Sequence, residues 1–269
     1  MTRTHTLLVG CGKVATSLGR TLLEGGGAVT GIRRDPADLP EAFGRIAVDL
    51  SAPLSEQLPR VDAMVITLTP GESMTFLSDA LGHLRRALPA LPERTVYVSS
   101  TRVFEAADDG RRLDETSAPA PGGDRARALL EGERRAAELF GAVILRPAGI
   151  YGPGRERLIR QVRTGTPVDY DRRTNRIHED DLVRALRALL DHPEPPSVLH
   201  GVDGHPATLG DVVQFIAEQL GVAPPPRADV AAGERRGTVL DGARLGELLG
   251  DLDYPSFREG YGRMIDDLR

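Results

Sequence analysis

Short apolar runs alternate with segments of helical periodicity along most of this chain. The runs in the first half are almost continuously hydrophobic, as expected for parallel strands that are buried on both faces. They cover residues 6–9, 28–32, 46–50, 61–68 and 95–99, and two later runs cover 142–146 and 198–202. This alternation predicts an α/β protein with a doubly wound parallel sheet, a Rossmann fold.

Amphipathic helices are predicted between these runs. Apolar residues recur at helical spacing after the first run, at 73–88, at 124–140 and beyond Asp181. Thr208 and Asp211 form a capping pattern before a later helix. Polar stretches complete the pattern: 35–43 is a short helix or loop, and 105–123 and 147–155 are loops.

The order of these elements predicts two parts. We expect a dinucleotide-binding domain over residues 1–150 and a smaller C-terminal α/β lobe over 151–269. The lobe is expected to bind substrate and to be interleaved with the core rather than independent.

Composition narrows the classes of function. The net charge of −5 gives no general attraction to nucleic acid or anionic membranes. Because the sequence has no membrane-length apolar run and no signal-peptide core, we expect a cytoplasmic protein. Cys11 is the single cysteine, which excludes an internal disulfide, and we predict no metal site. Lys13 is the single lysine, so a mechanism that needs a lysine elsewhere is excluded.

The turn after the first apolar run reads Gly10-x-Gly12-x-x-Ala15. The first glycine permits a sharp bend, the second lets the backbone approach a pyrophosphate, and the small alanine lets the helix pack on the strand. A phosphate would lie at the helix N-terminus, where the N–H groups and the dipole favour negative charge. We therefore predict a dinucleotide-binding loop that also includes Lys13 and Val14.

The second apolar run ends in Arg33 and Arg34, at the place where a ribose-reading residue belongs. Arginine offers a planar fork for the 2′-phosphate, so we predict NADP(H) rather than NAD(H). The alternative is a solvated basic turn. Asp49, at the end of the next run, either reaches the adenine or caps a turn. Further cofactor contacts are predicted where later strands end, at Leu68, Thr69, Ser99 and Pro147.

Hydroxyl groups follow the fifth run, where substrate and nicotinamide should meet. Ser100 is the candidate that orients the reacting group, and the alternative is a hydroxyl that caps a turn. Thr101 and Arg102 are predicted to contact substrate. Arg155 and Arg176 either clamp an anionic substrate or are solvated surface residues.

Several motifs together resemble those of a known family. The glycine loop is joined by residues 96–104 (Val-Tyr-Val-Ser-Ser-Thr-Arg-Val-Phe), 145–154 (Leu-Arg-Pro-Ala-Gly-Ile-Tyr-Gly-Pro-Gly) and 175–182 (Asn-Arg-Ile-His-Glu-Asp-Asp-Leu). With them the chain resembles the extended short-chain dehydrogenases/reductases of the NAD-dependent epimerase/dehydratase group over nearly its whole length. Residues 254–260 (Tyr-Pro-Ser-Phe-Arg-Glu-Gly) are similar to those of its atypical, YeeZ-like members.

The resemblance implies a catalytic pattern that the chain lacks. Family members that transfer hydride have a Tyr-x-x-x-Lys pair at the start of the helix after the fifth strand, and this helix has no tyrosine there. If Glu131 matches the family's helix glutamate, Gly123 and Arg127 take the two positions, and Arg127 could hold the ribose. If Glu133 matches it instead, Arg125 and Leu129 take them.

Two main functions remain open. The first is an NADP(H)-dependent oxidoreductase that acts on a small carbonyl or imine compound, in which Tyr151, His178, water or the substrate supplies the proton. Tyr151 could instead be a packed aromatic, and His178 a helix-entry residue bonded to backbone. The second function is a non-catalytic NADP(H) sensor, and a sugar-nucleotide epimerase or dehydratase is a weaker third. The resemblance also implies a homodimer through the helices at 73–88 and 124–140, where Leu77, Leu81, Leu84 and Leu88 either contact a partner or pack on the sheet.

Overall fold

The computed structural model describes residues 4–71, 73–107, 110–230 and 237–269. The strands in this part of the chain are β1 (His5–Val9), β2 (Ala28–Arg33), β3 (Gly44–Ala47), β4 (Ala63–Ile66), β5 (Arg94–Val98), β6 (Arg112–Leu113), β7 (Val143–Pro147), β8 (Gly149–Tyr151), β9 (Arg173–Thr174), β10 (Arg176–His178), β11 (Val198–Gly201), β12 (Ala207–Thr208) and β13 (Val239–Leu240). The helices are α1 (Lys13–Glu24), α2 (Phe76–Ala87), α3 (Asp124–Phe140), α4 (Arg157–Arg163), α5 (Glu179–Asp191), α6 (Leu209–Leu220), α7 (Ala243–Leu249) and α8 (Phe257–Asp266), with a 3₁₀ helix at Thr101–Phe104.

A seven-stranded parallel sheet is the centre of the fold, in the order β11-β7-β5-β4-β1-β2-β3. The order runs outward in both directions from β1 and β4, which pair in parallel from Thr6 opposite Ala63 to Val9 opposite Ile66. This is the strand order of a doubly wound sheet, and the predicted fold class is confirmed. In such sheets the point where the order reverses, at the carboxyl ends of the strands, is where ligands bind.

The chain divides into two compact units. The first comprises Met1–Val103, Pro121–Arg146 and Val183–Leu199, and the second comprises Phe104–Ala120, Pro147–Leu182 and His200–Arg269. The chain therefore passes from one unit to the other several times. The division into domains at 1–150 and 151–269 stays a prediction.

Each unit has its own apolar core. In the first, residues of β1, β4 and β5 pack with α2 and α3, and Leu7, Met64 and Tyr97 have no solvent exposure. In the second, α4, α6 and α8 surround a core that includes Ile159 and Ile216. The predicted cap of α6 is present: Thr208 and Asp211 form a reciprocal capping box.

The apolar stripe of α2 lies in the core of the first unit. Leu77, Leu81 and Leu84 have no more than 1% exposure, and Leu88 has 5%. The chain itself buries these side chains, so this face is not available to a partner. The homodimer therefore stays a prediction without support from the stripe.

Several predicted elements are corrected, among them the strand expected at 61–68, which is Ala63–Ile66. The strand expected at 46–50 is Gly44–Ala47, since its register is fixed by pairing with Thr30–Arg33 of β2. The helix expected from residue 73 begins at Phe76. The loops expected at 105–123 and 147–155 contain β6 and β8. Both are two or three residues long and pair with distant strands, β13 and β10, so they leave no periodicity in the sequence.

None of the helices within the described ranges is both long enough and apolar enough to cross a membrane.

Candidate functional site

The glycine loop lies between β1 and α1 in the first unit. Gly10 has φ +73°, and a Cβ there would lie 3.0 Å from Leu68 Cδ2 and 3.3 Å from the carbonyl of Thr67. Only glycine fits this position without strain. Ala15 is buried with 1% exposure, so its small side chain allows close packing of α1, whereas Val14 is partly exposed.

The N-terminus of α1 has the features of an anion site. Gly12 is the N-cap residue, and within the described part of the chain no side chain caps the helix there. Gly12 and Lys13 are exposed, and the only atom near a hypothetical Cβ on Gly12 is Gly10 O at 3.7 Å. The backbone N–H groups at the start of a helix of this length, 12 residues, can bind an anion.

The two arginines at the end of β2 form no ion pair within the described part of the chain. Arg33 is partly exposed and Arg34 is exposed, and neither forms an ion pair with any residue that the structure describes. The backbone N–H groups of Gly10 and Cys11 donate to Ile32 O, at 3.0 and 3.2 Å, which ties the glycine loop to the end of β2. The loop and the arginines therefore share one edge of the sheet.

Other predicted cofactor residues lie at the ends of the strands. Leu68 is partly exposed and Thr69 is exposed. Asp49 is exposed and its Oδ1 accepts the N–H of Ser51 at 2.9 Å, which is the turn-capping alternative. Thr67 was not predicted as a site residue; its hydroxyl donates to Val9 O and Gly10 O at 3.1 and 2.9 Å. Thr67 thereby fixes β4 to the glycine loop.

A buried ion pair lies at the carboxyl ends of β5 and β7. Arg146 donates from Nε and Nη2 to the two oxygens of Glu133, at 2.9 and 2.6 Å. Ser99 Oγ donates to Glu133 Oε1 at 2.6 Å. All three residues are at most 8% exposed. Ser99, a predicted cofactor contact, directly precedes Ser100 in the chain. Its side chain is hydrogen-bonded to Glu133 within the protein.

The side chain of Ser100 caps a turn, which was the alternative role predicted for it. Its Oγ accepts the N–H of Arg102 at 3.2 Å, at the start of the 3₁₀ helix. This bond leaves the hydroxyl hydrogen of the partly exposed serine able to donate. Thr101 is partly exposed and Arg102 is exposed.

The start of α3 carries no phenol, and the two glutamates considered as the family's helix glutamate differ. Glu133 is buried in the ion pair, whereas Glu131 is partly exposed and binds Arg134. The exposed Arg127 pairs with Asp124 on the helix surface at 2.6 Å.

In the second unit, the parallel pairing of β8 with β10 places Tyr151 directly opposite His178. Their ring centroids are 5.2 Å apart. The Tyr151 hydroxyl donates to Ser256 O at 3.2 Å, and its ring stacks on Tyr261 at 4.8 Å. Burial raises the pKa of Tyr151, so its phenol is protonated at neutral pH.

The imidazole of His178 is buried, with 1% exposure of the residue. Its Nδ1 accepts the N–H of Asp180 at 3.2 Å, so the neutral ring carries its proton on Nε2. Burial lowers the pKa of His178, although nearby carboxylates, first that of Asp180, act in the opposite direction. These contacts match the predicted helix-entry alternative.

The C-terminal segment supplies a third aromatic residue, Tyr254, which was not predicted as a site residue. Tyr254 lies over His178, with ring centroids 3.6 Å apart and planes at 31°. The fully buried Asp181 accepts the N–H groups of Asp253 and Tyr254, each at 2.9 Å. The motif at 254–260 was the available signal, but its contacts are not visible in the sequence.

Arg155 and Arg176 differ in exposure. Arg155 is partly exposed and its Nε donates to Glu179 Oε2 at 2.9 Å. Arg176 is 6% exposed, and its positive charge lowers the pKa of Tyr261 against the larger effect of burial. Pro147 is buried, and a Cβ on Gly201 would lie 3.1 Å from the Pro147 Cα.

Asp203 is a buried carboxyl in the same unit, with 2% exposure. Its Oδ1 accepts the N–H of His205 at 3.1 Å, whereas Oδ2 has no hydrogen-bond partner among the described residues. Burial raises the pKa of Asp203 to about 7, against the lowering effects of the His205 N–H and the Arg176 charge.

The structure thus groups the predicted residues by unit. The glycine loop, Arg33, Arg34, Leu68, Thr69, Ser99 and Ser100 belong to the first, and Tyr151, Arg155, Arg176 and His178 to the second. The described residues include no group of three or more His, Cys, Asp or Glu side chains placed to bind a metal.

No protein-family model matches the chain, and a search of curated proteins found no match. Solved structures do resemble it. A proposed NAD-dependent epimerase/dehydratase from Methylobacillus flagellatus is 27% identical over 99% of both chains, with a TM-score of 0.79. A protein of unknown function from Silicibacter pomeroyi is 25% identical over 98% of this chain and 99% of its own, with a TM-score of 0.77.

A third similar structure is the UDP-glucuronic acid 4-epimerase from Bacillus cereus in complex with NAD. It is 20% identical over 98% of this chain and 96% of its own, with a TM-score of 0.77. The chain therefore has the fold of NAD-dependent epimerase/dehydratase-like proteins, which supports its place in the extended short-chain dehydrogenase/reductase superfamily.

Proposed function

We propose that the protein is an NADP(H)-dependent oxidoreductase of the atypical extended short-chain dehydrogenase/reductase type, acting on a small carbonyl or imine compound. The observation that carries this proposal is the glycine loop at the uncapped start of α1, joined at one sheet edge by Arg33 and Arg34. Both guanidinium groups lack an ion-pair partner among the described residues.

The residues present fit a dinucleotide. A Cβ on Gly10 would meet Leu68, and the backbone around Gly12 is exposed, as an approaching pyrophosphate requires. The N–H groups of α1 would hold the phosphates, and Arg33 and Arg34 the 2′-phosphate. When bound, the nicotinamide supplies or accepts a hydride.

The structural neighbours support a nicotinamide cofactor, since one is described as NAD-dependent and another was solved with NAD. The preference for NADP(H) rests on the two arginines alone.

The chain's own groups have separate tasks in this proposal. The Ser100 hydroxyl orients the reacting carbonyl or imine, because its hydrogen is not used in the bond with Arg102. We infer that Glu133 is the counterpart of the family's helix glutamate, since it is the one that is buried in an ion pair. Arg125 and Leu129 then take the positions of the missing pair, and the ribose contact of Arg127 stays a prediction.

A non-catalytic NADP(H) sensor is the second candidate. It is favoured by the burial of both predicted proton donors, Tyr151 at 3% and His178 at 1% exposure. An epimerase is named among the structural neighbours, but the family reaction depends on the tyrosine that α3 lacks.

The cofactor proposal is tested by calorimetry on Arg33→Ala/Arg34→Ala. Each charge-assisted bond contributes about 1.5–3 kcal/mol, so NADPH affinity should fall by about tenfold or more while NADH affinity hardly changes. Arg85→Ala/Arg86→Ala is the matched control, because this neighbouring pair has the same exposure pattern. Equal losses for both cofactors would contradict the assignment. Oxidation of NADPH with a panel of carbonyl and imine compounds then separates the enzyme from the sensor.

A further inference from the structure

The peptide group that joins Gly10 to Cys11 is held from two sides within the first unit. Its N–H, which belongs to Cys11, donates to Ile32 O in β2 at 3.2 Å. Its carbonyl oxygen, which belongs to Gly10, accepts the hydroxyl of Thr67, directly after β4, at 2.9 Å. In the sheet, β1 lies between β2 and β4. The two strands beside β1 therefore fix the first peptide group of the glycine loop that follows it.

Thr67 contributes to this arrangement through its side chain, whereas the contacts from β2 are backbone bonds. The backbone N–H of Thr67 donates to Val9 O at 2.9 Å, and this bond does not need the hydroxyl. The hydroxyl hydrogen is shared between Val9 O, at 3.1 Å, and Gly10 O. What the hydroxyl adds to the strand pairing is thus a fixed orientation of the Gly10 carbonyl group.

The orientation of the Gly10 carbonyl group affects how the loop meets an anion. Its oxygen lies 3.7 Å from the position of a Cβ on Gly12, where the exposed backbone is open to a pyrophosphate. A carbonyl oxygen has a partial negative charge and would repel a phosphate that it faced. This oxygen has two lone pairs and accepts two bonds, from the Thr67 hydroxyl and from the Gly12 N–H at 2.6 Å. Its lone pairs are thereby directed at donors of the protein itself.

We propose that Thr67 is a positioning residue of the cofactor site, whose hydroxyl fixes the glycine loop in the conformation that accepts the pyrophosphate. This inference rests on the proposed NADP(H)-dependent function. The loop is formed before the cofactor arrives, so binding does not have to order it. Thr67 acts on the pyrophosphate that NADPH and NADH share, whereas Arg33 and Arg34 act on the 2′-phosphate that only NADPH has.

The test is calorimetry on Thr67→Val, which removes the hydroxyl and keeps the branched shape of the side chain. A neutral hydrogen bond changes an equilibrium constant by about threefold to tenfold, so the affinities for NADPH and NADH should both fall by that factor. The affinity for adenosine 2′-monophosphate, which has the ribose phosphate and no pyrophosphate, should stay unchanged. Arg33→Ala/Arg34→Ala should give a different pattern, with losses for NADPH and the monophosphate and hardly any loss for NADH.

Two further variants separate positioning from a general structural effect. Thr67→Ser keeps the hydroxyl and should retain the wild-type affinity for both cofactors within about twofold. Thr95→Val makes the same substitution on β5, which pairs with β4. Thr95 is 2% exposed, and its Oγ1 has no hydrogen-bond partner among the described residues. Because Thr95→Val removes no bond to the loop, both affinities should stay unchanged.

A measurement on the wild type does not depend on whether the variants fold. In the cofactor-free protein, hydrogen exchange of the Cys11 and Gly12 N–H groups should be at least about tenfold slower than in an unstructured peptide, because both groups are hydrogen-bonded in the loop. Exchange at the rate of an unstructured peptide would show that the loop is not fixed and would overturn the proposal.

The outcomes of the binding experiments are distinct. If the wild type binds NADPH and Thr67→Val binds it within about twofold of the wild type, the role of Thr67 is wrong and the cofactor proposal stands. If Thr67→Val weakens the monophosphate as much as the cofactors, or Thr95→Val causes the same losses, the effect is structural and the positioning role is wrong. If the wild type binds neither NADPH nor NADH, the proposed function fails, and the role of Thr67 fails with it.

Discussion

The two units each bury an acidic side chain, and they satisfy it very differently. In the first unit, both oxygens of Glu133 accept bonds from Arg146, and Ser99 adds a third. In the second, Asp203 has one backbone bond, and its Oδ2 has no hydrogen-bond partner among the described residues. Their exposures are nearly equal, 5% and 2%. Burial is therefore not what separates them.

The difference shows how a protein can keep a carboxyl group away from water. Two hydrogen bonds from Arg146 replace the water that Glu133 loses on burial. Removing either residue would leave the other as a buried charge without a counter-charge. Without such a partner, burial raises the pKa of Asp203 to about 7, so this group titrates near neutral pH. We expect the Glu133–Arg146 ion pair to hold β7 and α3 together. We expect Asp203 to make the free energy of unfolding depend on pH.

Breaking the ion pair should give the largest effect. Arg146→Met leaves Glu133 buried without its counter-charge, which typically costs about 3–5 kcal/mol. Urea unfolding followed by circular dichroism measures the loss. The double variant Glu133→Met/Arg146→Met should recover part of it, because both charges are then gone. A loss below about 1 kcal/mol in the single variant would mean that the pair is not essential.

Asp203→Asn should change the pH dependence of stability. The folded state binds the Asp203 proton more tightly than the unfolded state, whose pKa is near the ordinary 3.8. The free energy of unfolding of the wild type should therefore fall as pH rises from about 4 through 7, by at most about 4 kcal/mol. Above about pH 8 the contribution of Asp203 to this free energy should no longer change with pH.

Asparagine has no such charge, so thermal unfolding of Asp203→Asn should depend less on pH between 5 and 8 than that of the wild type. Asp211→Asn, an exposed carboxylate in a capping box, is the control for a general effect of removing an acid. If the unfolding temperatures of the wild type and Asp203→Asn change equally with pH, the raised pKa of Asp203 is contradicted.

Ser99→Ala tests how much the third hydrogen bond to Glu133 contributes to stability. It removes one of the three bonds to Glu133 and leaves the two from Arg146. A bond to a charged acceptor contributes about 1.5–3 kcal/mol, and we expect the lower end because the ion pair remains. Its effect on the urea midpoint should therefore lie between those of Arg146→Met and the wild type.

The smallest effect is expected for Arg134→Ala. Arg134 binds Glu131 on the same helix with two bonds, at 3.0 and 2.6 Å, much as Arg146 binds Glu133. Its side chain is 62% exposed, so water replaces the lost contacts and we expect no measurable shift of the unfolding midpoint. A shift comparable to that of Arg146→Met would show that geometry, not burial, decides the strength of these pairs.

Much of the fold was predictable because it depends on local patterns. The bounds of α3 were predicted at 124–140 as observed, and the cap of α6 at Thr208 was confirmed. The strands β6 and β8 were missed, since two or three residues carry no period. For the candidate site, the sequence pointed to the glycine loop. The positive φ of Gly10 explains why glycine is needed there.

The sequence by itself determined the doubly wound α/β fold, the absence of a phenol at the start of α3, and the basic pair after β2, because each is a local property of residue type and spacing. Only the tertiary structure decided that Glu133 and not Glu131 is buried, that Asp203 Oδ2 has no hydrogen-bond partner among the described residues, and that Tyr254 stacks on His178. Burial and pairing join residues that are far apart in the sequence, such as Tyr151 and Ser256 at a separation of 105 positions, and no local pattern encodes such contacts.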